Sequence, residues 1–210
     1  MNSVQYMGVA ERKSRQKADL RQEILDAARD LFVREGYESV SIRKIAEKVE
    51  YAPGTIYLYF KDKTEILDTL AARTFQKLHA RLEAIHRDPG DPVEALRRGL
   101  RSYIQFGLDH PNEYVVTFVI AKREPGIHER SGQKCGMACF DTLRSIVRKC
   151  LEDGYINGGG VDETAQALWT AIHGLTSLLA MNCGFPFTEQ TRLIERLLDI
   201  LIKGVRTQKT

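Results

Sequence analysis

Apolar residues recur along most of the chain at intervals of three and four positions, the spacing of one face of an α-helix. Four such segments occupy the first part of the sequence. They begin near Asp19, Ser41, Pro53 and Asp62, and Gly36 ends the first of them. Serine and aspartate are common helix N-caps, proline suits the first helical position, and glycine commonly follows a helix. No segment shows the alternation of a half-buried β-strand, so the pattern predicts an all-α fold.

The remainder of the chain continues the same pattern beyond Asp88-Pro89-Gly90. Further helices are predicted near residues 92–109, 111–122, 131–153, 162–183 and 188–206. The breaks between them are rich in proline and glycine: His110-Pro111, Pro125-Gly126, Gly158-Gly159-Gly160 and Gly184-Phe185-Pro186. We therefore expect two units, residues 1–63 and residues 64–210. The first is a small N-terminal helical unit, and the long fourth helix joins it to a larger C-terminal helical bundle.

The helix predicted near residues 162–183 has one bulky and one small apolar face, which lets it pack on its own core and closely against a second helix. Its small face and the apolar face of the last helix are predicted to form a four-helix interface between two copies of the chain. The residues assigned to this interface are Ala167, Ala171, Gly174, Leu178, Ile194, Leu197, Leu198 and Leu201. The uncharged stretch 164–188 is long enough to span a membrane, but its scattered polar residues favour a buried bundle helix.

Composition adds limits to this picture. The 210 residues are 43% hydrophobic and carry a net charge of +3, which fits a globular protein with a mildly basic surface. Residues 11–21 carry five basic and two acidic side chains, and such N-terminal arms commonly lie against nucleic-acid phosphates. A solvated tail is the alternative. There is no secretory signal, and the four cysteines lack the spacing of a disulfide framework, so we expect a cytoplasmic protein without membrane contact.

The segment from Ser41 to Lys63 has the pattern of a helix-turn-helix, in which the second helix enters a groove of double-stranded DNA. A helix end that approaches DNA closely needs small or hydrogen-bonding residues, and Gly54 and Thr55 meet that need. Tyr57 and Tyr59 point in different directions on the helix, so one can face the groove while the other reaches a phosphate. The sequence therefore predicts DNA as a partner.

At these residues the chain resembles the TetR (tetracycline-repressor-like) family of transcriptional regulators. The resemblance covers roughly residues 22–70 and rests on an ordered series of anchors. They are Ile24-Leu25-Asp26-Ala27-Ala28, Leu31-Phe32, Gly36-Tyr37, Ser41-Ile42-Arg43-Lys44-Ile45-Ala46 and the run from Gly54 to Lys63. The resemblance implies a homodimer that binds a palindromic operator and releases it when a small molecule occupies the larger domain.

The family's DNA-contacting positions fall on Ser41, Arg43, Pro53, Gly54, Thr55, Tyr57, Tyr59 and Lys63. Three residues depart from the family pattern: Glu50 stands at the turn position usually held by glycine, Tyr51 follows it, and Ala52 replaces the usual serine cap of the recognition helix. Alanine cannot accept the hydrogen bonds of the helix N-terminus, a loss of about 1 kcal/mol. These departures leave the turn geometry and the operator sequence open.

In this family the middle helices surround the effector. Apolar linings with a few polar tips suit a hydrophobic or aromatic molecule. The residues predicted to contact it are Tyr103, Phe106, Tyr114, Phe118, Met137, Phe140 and His173, although each can also be ordinary core. His173 in particular is favoured as a structural residue that is hydrogen-bonded within the bundle.

Two alternative functions remain open. One is a DNA-binding regulator without an effector, and the other is a thiol- or metal-responsive repressor that uses Cys135 and Cys139. No metal site and no cofactor are otherwise predicted. The sequence lacks the Gly-x-Ser-x-Gly, Gly-Lys phosphate-loop and His-Glu-x-x-His motifs, so we do not expect an enzyme.

Overall fold

The computed structural model describes residues 8–88, 90–121, 131–156 and 159–207. The described part is helical, which confirms the all-α prediction. Its helices are α1 Val9–Glu35, α2 Ile42–Lys48, α3 Pro53–Tyr57, α4 Lys63–His86, α5 Pro92–Asp109, α6 Pro111–Val115, α7 Ser131–Glu152, α8 Val161–Ala180 and α9 Gln190–Val205, and a π-helical segment, Val116–Ile120, directly follows α6. The predicted breaks at Pro89, Pro125-Gly126 and Gly158 lie outside the described residues.

Helix α1 begins ten residues earlier than the sequence pattern indicated, at Val9 rather than near Asp19. The Glu11 carboxylate accepts a hydrogen bond from the backbone N–H of Gly8 at 3.0 Å, which anchors the first turn. No glycine or proline interrupts the helix, so nothing in the sequence stops it. The basic run at residues 11–21 is therefore helical rather than an extended arm, and its side chains up to Asp19 are exposed.

The helix starts of the N-terminal unit follow the predicted caps. The Ser41 hydroxyl accepts from the N–H of Lys44 at 3.2 Å, and the Asp62 carboxylate accepts from the N–H of Glu65 at 2.7 Å. Helices α1 to α3 and the first part of α4 enclose one apolar core, which we call the headpiece core. Its fully buried members include Ile24, Leu25, Phe32, Ile45, Ile56, Ile66 and Leu67.

A second apolar core lies in the bundle formed by the rest of α4 with α5 to α9. The bundle helices pack closely at Gly107 on α5, where an added Cβ would lie 2.3 Å from the Thr176 methyl on α8. The π-helical segment lies between the two cores. Val116 belongs to the headpiece core, whereas Phe118, two residues later, belongs to the bundle core.

Among the described residues, none of the helices is long and apolar enough to span a membrane.

Candidate DNA-binding surface and effector cavity

The recognition helix α3 presents its polar and small residues outward. Pro53 and Gly54 are exposed, Thr55 is half-buried, and Tyr57 is 56% exposed. Ile56 faces the opposite way and is fully buried in the headpiece core. One face of the helix is thus fixed by packing, and the other face is open to a macromolecular partner.

Helix α2 contributes two of the predicted DNA-contacting residues. Ser41 is exposed while its hydroxyl caps the helix, and the Arg43 side chain is 82% exposed. The Arg43 guanidinium lies 3.2 Å from the Glu47 carboxylate one turn later. An ion pair this exposed contributes little stability, so Arg43 can exchange Glu47 for a phosphate at small cost.

Lys63 lies in the first turn of α4 and is engaged within the headpiece. Its ammonium donates to the carbonyl oxygen of Tyr37 at 2.7 Å and lies 4.0 Å from the centre of the Tyr37 ring. Tyr59 is also half-buried and packs against the headpiece core. The structure therefore gives both residues a role in packing beside the DNA contact that the sequence predicts.

The turn between α2 and α3 shows the effect of its unusual residues. Glu50 adopts φ 61°, the left-handed conformation that glycine occupies without strain. Tyr51 is 46% exposed, and the Ala52 side chain makes no capping hydrogen bond. Position 50 thus adopts the left-handed backbone conformation although its residue carries a Cβ.

Sequence reasoning missed a groove beside the recognition helix. The N-terminal half of α1 forms one wall with Lys13 and Lys17, and Tyr51, Leu58 and Tyr59 form the other. Leu58 is 76% exposed, an unusual position for leucine. Leu58 follows Gly54 by one helical turn, and this spacing could have indicated its exposed position in the sequence. The opposite wall of the groove could not be predicted, because Lys13 and Lys17 lie before the predicted start of α1.

A cavity of about 480 Å³ lies in the bundle between α4, α5, the π-helical segment, α7 and α8. Four of the residues predicted to contact an effector line it: Tyr103, Phe118, Met137 and Phe140. The sequence analysis treated the fourth helix as the link between the two units, and it missed that Phe75, Leu78 and Leu82 form a cavity wall. Trp169 and Ile172 of α8 close another side.

The other three predicted contacts, Phe106, Tyr114 and His173, do not line the cavity. Phe106 is buried beside Arg81, whose guanidinium carbon lies 5.2 Å from the ring centre. Tyr114 is also buried and packs against Phe118, with the ring centres 4.6 Å apart. Tyr114 thus packs against a side chain that lines the cavity, although it does not line the cavity itself.

His173 is hydrogen-bonded to two tyrosines next to the cavity. The Tyr103 and Tyr114 hydroxyls lie 2.9 Å and 2.6 Å from its Nδ1, and Tyr114 also lies 3.1 Å from the Ser177 hydroxyl. The Trp169 ring stacks on the imidazole at 5.2 Å. Burial raises the pKa of both tyrosines, so they remain neutral hydrogen-bonding groups at physiological pH. His173 is thus held by hydrogen bonds and ring stacking, and its structural role stays a prediction.

The α8 and α9 faces assigned to the dimer interface differ in exposure. On α8, Ala167, Gly174 and Leu178 are exposed and Ala171 is half-buried. On α9, Leu197 and Leu201 are half-buried, whereas Ile194 and Leu198 are buried in the core of their own bundle. A residue without free surface in one subunit cannot contact a second, so those two α9 positions serve the internal core.

Burial also decides the state of the cysteine thiols. The Cys139 thiol donates to the Phe75 carbonyl oxygen at 3.2 Å, and burial raises its pKa to about 12. The neighbouring Cys135 is only partly buried. A neutral, hydrogen-bonded thiol is a poor nucleophile and a poor metal ligand. No group of three or more potential metal ligands occurs within the described ranges.

The first turn of α7 is hydrogen-bonded to α4. The Gly132 N–H donates to the buried Asp68 carboxylate at 3.0 Å. One turn later, Gly136 lies under the Phe75 ring, where an added Cβ would come within 3.0 Å of the ring. The first turns of α4 thus pack in the headpiece core, and later residues of the same helix line the cavity.

Comparison with known proteins agrees with this geometry. Residues 24–70 match the family described as bacterial regulatory proteins, tetR family, and residues 96–201 match the tetracyclin repressor-like C-terminal domain. The chain belongs to the TetR family. It is accordingly a DNA-binding transcriptional regulator and not an enzyme, and regulators of this family act as dimers.

Two curated relatives and one solved structure indicate the range of similarity. An HTH-type regulator of Haemophilus influenzae is 45% identical over 67 residues, which span 32% of this chain and 36% of that protein. The fatty acid metabolism regulator protein of Bacillus subtilis is 30% identical over 92% of this chain and 100% of its own length. The crystal structure of FadR from Bacillus subtilis in complex with stearoyl-CoA shares the fold of this TetR regulator, with a TM-score of 0.76 and 23% identity, and the match covers 88% of this chain and 99% of that one.

Proposed function

We propose that this regulator is a repressor that holds a palindromic operator as a dimer and releases it when a long-chain acyl compound occupies the cavity. One observation carries the proposal: the cavity adjoins the headpiece core. Ala71 and Ala121 line the cavity and also belong to the headpiece core. A ligand in the cavity therefore contacts the same residues that support the DNA-reading helices.

The cavity suits an apolar ligand. Its volume of about 480 Å³ falls in the usual range for small-molecule sites. The described residues of its lining include no charged side chain, and Gln133 and Gln166 are exposed polar residues at its edge. Stearoyl-CoA, the molecule bound in the Bacillus subtilis structure, combines a long apolar chain with a polar head. An acyl chain in the cavity with its polar head at the exposed glutamines is the class of effector that we propose.

Helix α4 supplies the route from the cavity to the DNA. An acyl chain inserted between α4 and α7 pushes against Phe75, which packs on Gly136. The same insertion strains the hydrogen bond between Asp68 and Gly132, which joins the two helices. A shift of α4 carries the headpiece with it, because Leu67 and Leu70 of α4 are part of the headpiece core. Operator binding requires two recognition helices about 34–36 Å apart, so such a shift lowers affinity.

The dimer that we propose uses the exposed apolar face of α8 and α9. Its centre is the small-residue row Ala167, Ala171 and Gly174, beside Leu178. Leu197 and Leu201 contribute from α9, and Ile200, which is 52% exposed, extends the same surface. Small residues permit close helix contact, and burial of exposed leucine and isoleucine drives association.

A sensor based on Cys135 and Cys139 is disfavoured by the raised pKa of the Cys139 thiol and by its hydrogen bond to Phe75. A regulator without an effector is disfavoured by the cavity itself, because an unused space of this size lowers stability.

The test is fluorescence anisotropy of labelled DNA from upstream of the gene, titrated with the full-length protein and then with stearoyl-CoA. We expect stearoyl-CoA to release the DNA and coenzyme A to have no effect. The Gly99→Leu variant should keep DNA affinity and lose release. A Cβ at Gly99 makes only an ordinary contact of 3.8 Å with Ile146, and the rest of the leucine enters the cavity.

Gly90→Leu is the matched control, because Gly90 is exposed between α4 and α5 and an added Cβ there meets only the Asp88 carboxylate, at 3.9 Å. This variant should bind and release DNA as the unmodified protein does. Release of DNA from Gly99→Leu at the same stearoyl-CoA concentration would contradict the cavity as the effector site, and no release from the unmodified protein would contradict the effector class.

A further inference from the structure

The π-helical segment carries a buried hydroxyl group that has no hydrogen-bond partner. Thr117 is 2% exposed, and its Oγ1 pairs with nothing in the described part of the chain. A buried polar group without a partner is costly, so an unpaired hydroxyl in a folded protein needs an explanation, and a bound water or ligand is one. Thr117 is also one of the residues that line the cavity.

Other buried threonines of the protein show what Thr117 lacks. Thr74, Thr142 and Thr176 each donate to the backbone carbonyl four residues earlier, at 3.0, 3.2 and 2.7 Å. All three lie in α-helices, where that carbonyl is within reach of the hydroxyl. Thr117 lies in the π-helical segment Val116–Ile120, directly after α6. Its hydroxyl makes no such bond to a described residue.

The other polar groups of the cavity wall are already engaged or lie at the edge. The Tyr103 hydroxyl is bonded to His173, and the Cys139 thiol is bonded to the Phe75 carbonyl. Gln133 and Gln166 are exposed to solvent. The interior of the cavity therefore has one uncommitted hydrogen-bonding group, among the residues that the structure describes.

Thr117 can turn its hydroxyl toward a ligand without moving the backbone. Its Oγ1 has almost no exposed surface at present, so the bond requires a change of the side-chain rotamer. The methyl and hydroxyl groups of threonine have similar size, and threonine in helices divides between two rotamers. A change from one staggered rotamer to another moves the oxygen to the position that the methyl group held, while the methyl group takes the former position of the Cβ hydrogen. Such a change can bring the oxygen toward the cavity that Thr117 lines.

The chemistry of the wall limits the partner of this hydroxyl. Among the residues that the structure describes, no lysine, arginine or histidine lines the cavity. An ionised carboxylate or phosphate next to Thr117 would be buried without a compensating charge, which is strongly unfavourable. A neutral hydroxyl or carbonyl oxygen satisfies the threonine at no such cost.

We propose that Thr117 determines effector specificity by hydrogen-bonding a neutral oxygen within the apolar body of the ligand. The preferred effector is then an oxygenated chain, such as a hydroxyl- or keto-bearing acyl compound, rather than a plain hydrocarbon chain. This inference rests on the proposed function of the cavity as the effector site.

The test compares dodecanoic acid with a set of hydroxydodecanoic acids that carry the hydroxyl at successive carbons. Each acid is titrated into the full-length protein by calorimetry, with Thr117→Val and Thr117→Ser as matched variants. Valine keeps the shape and removes the hydroxyl, whereas serine keeps the hydroxyl. In the unmodified protein, at least one hydroxy acid should bind more tightly than the parent acid. Its affinity relative to the parent should fall about tenfold or more in Thr117→Val and persist in Thr117→Ser.

Dodecanoic acid itself should bind Thr117→Val at least as tightly as it binds the unmodified protein. An equal preference ratio in Thr117→Val and the unmodified protein would overturn the role of Thr117 while leaving the effector site intact. Failure of every acid to bind the unmodified protein would overturn both the specificity and the proposed effector site.

Thermal unfolding of the ligand-free variants gives a second, independent measurement. Thr117→Val should raise the melting temperature or leave it unchanged, because it removes an unpaired hydroxyl. Thr176→Val should lower it, because that hydroxyl is bonded to Ile172. A loss in Thr117→Val as large as that in Thr176→Val would show that the Thr117 hydroxyl is already paired, and it would overturn the proposal.

Discussion

The two apolar cores share helix α4 but differ in how completely they are filled. In the headpiece core, side chains such as Phe32, Ile45 and Ile56 have essentially no exposed surface, and none of these three lines the cavity. The bundle core surrounds a space of about 480 Å³. Close packing holds the DNA-reading residues in a fixed geometry, whereas the open space lets the bundle adopt more than one arrangement. The difference separates a rigid reading unit from an adaptable sensing unit.

The largest expected effect comes from a matched pair of isoleucine truncations. Ile45→Ala should lower the free energy of unfolding by about 2–5 kcal/mol, because the closely packed headpiece cannot fill the hole. Ile146→Ala should lower it by less, because Ile146 already borders the cavity and loses fewer contacts. Chemical denaturation followed by circular dichroism measures both. Equal losses would contradict the difference in packing between the two cores.

A smaller effect is expected where the recognition helix meets DNA. Tyr57→Ala should weaken operator binding by about 1–3 kcal/mol, since Tyr57 is exposed and has no role in the headpiece core. Lys63→Ala should reduce both DNA affinity and stability, because Lys63 also bonds Tyr37. Anisotropy titrations at several salt concentrations separate the two, and the salt dependence should fall only in Lys63→Ala. Unaltered affinity in both variants would rule out this docking face.

A third pair tests whether the bundle is loosely packed throughout. Gly107→Ala should destabilise the protein by about 1–3 kcal/mol, because the new methyl group would lie 2.3 Å from Thr176. Gly99→Ala, on the same helix, places its methyl 3.8 Å from Ile146 and should be neutral or slightly stabilising. In thermal unfolding, the melting temperature should therefore fall in Gly107→Ala and stay unchanged or rise slightly in Gly99→Ala. A stable Gly107→Ala variant would mean that the α5–α8 contact is adjustable.

The smallest effect is a local gain within the headpiece. Glu50→Gly should stabilise the protein by about 1 kcal/mol, because glycine adopts the positive φ of this turn without a Cβ clash. Glu50→Ala retains the Cβ and serves as the control without that gain. Thermal unfolding detects the difference between them. Equal melting temperatures for glycine and alanine would show that the turn carries no strain.

The headpiece was largely predictable from sequence because its structure depends on local signals. The Ser41 and Asp62 caps, Pro53 and the spacing of buried residues indicated α2, α3 and the start of α4. The predicted start of α1 was wrong, because the first turns of the helix are charged and exposed and have no apolar stripe that would indicate them. The turn at Glu50 was recognised as unusual, but its backbone angle was not predictable from the residue type.

The bundle was less predictable, because apolar periodicity predicts where the helices lie in the sequence but not which helices pack against each other. It marked Phe118 and Phe106 equally, yet only Phe118 lines the cavity. It also could not separate Leu197, which keeps some free surface, from Leu198, which is fully buried. Nor does any sequence signal indicate the π-helical segment or, among the described residues, the missing partner of the Thr117 hydroxyl. These distinctions depend on which helix packs on which face.

In the function proposed for this protein, α4 couples the cavity to the operator, and thermodynamic linkage makes that coupling reciprocal. Whatever factor an effector removes from operator affinity, operator DNA must remove from effector affinity. The DNA-bound regulator therefore needs a higher effector concentration to respond than the free protein does. A cell with many operator copies would shift its response threshold upward, without any change in the cavity itself.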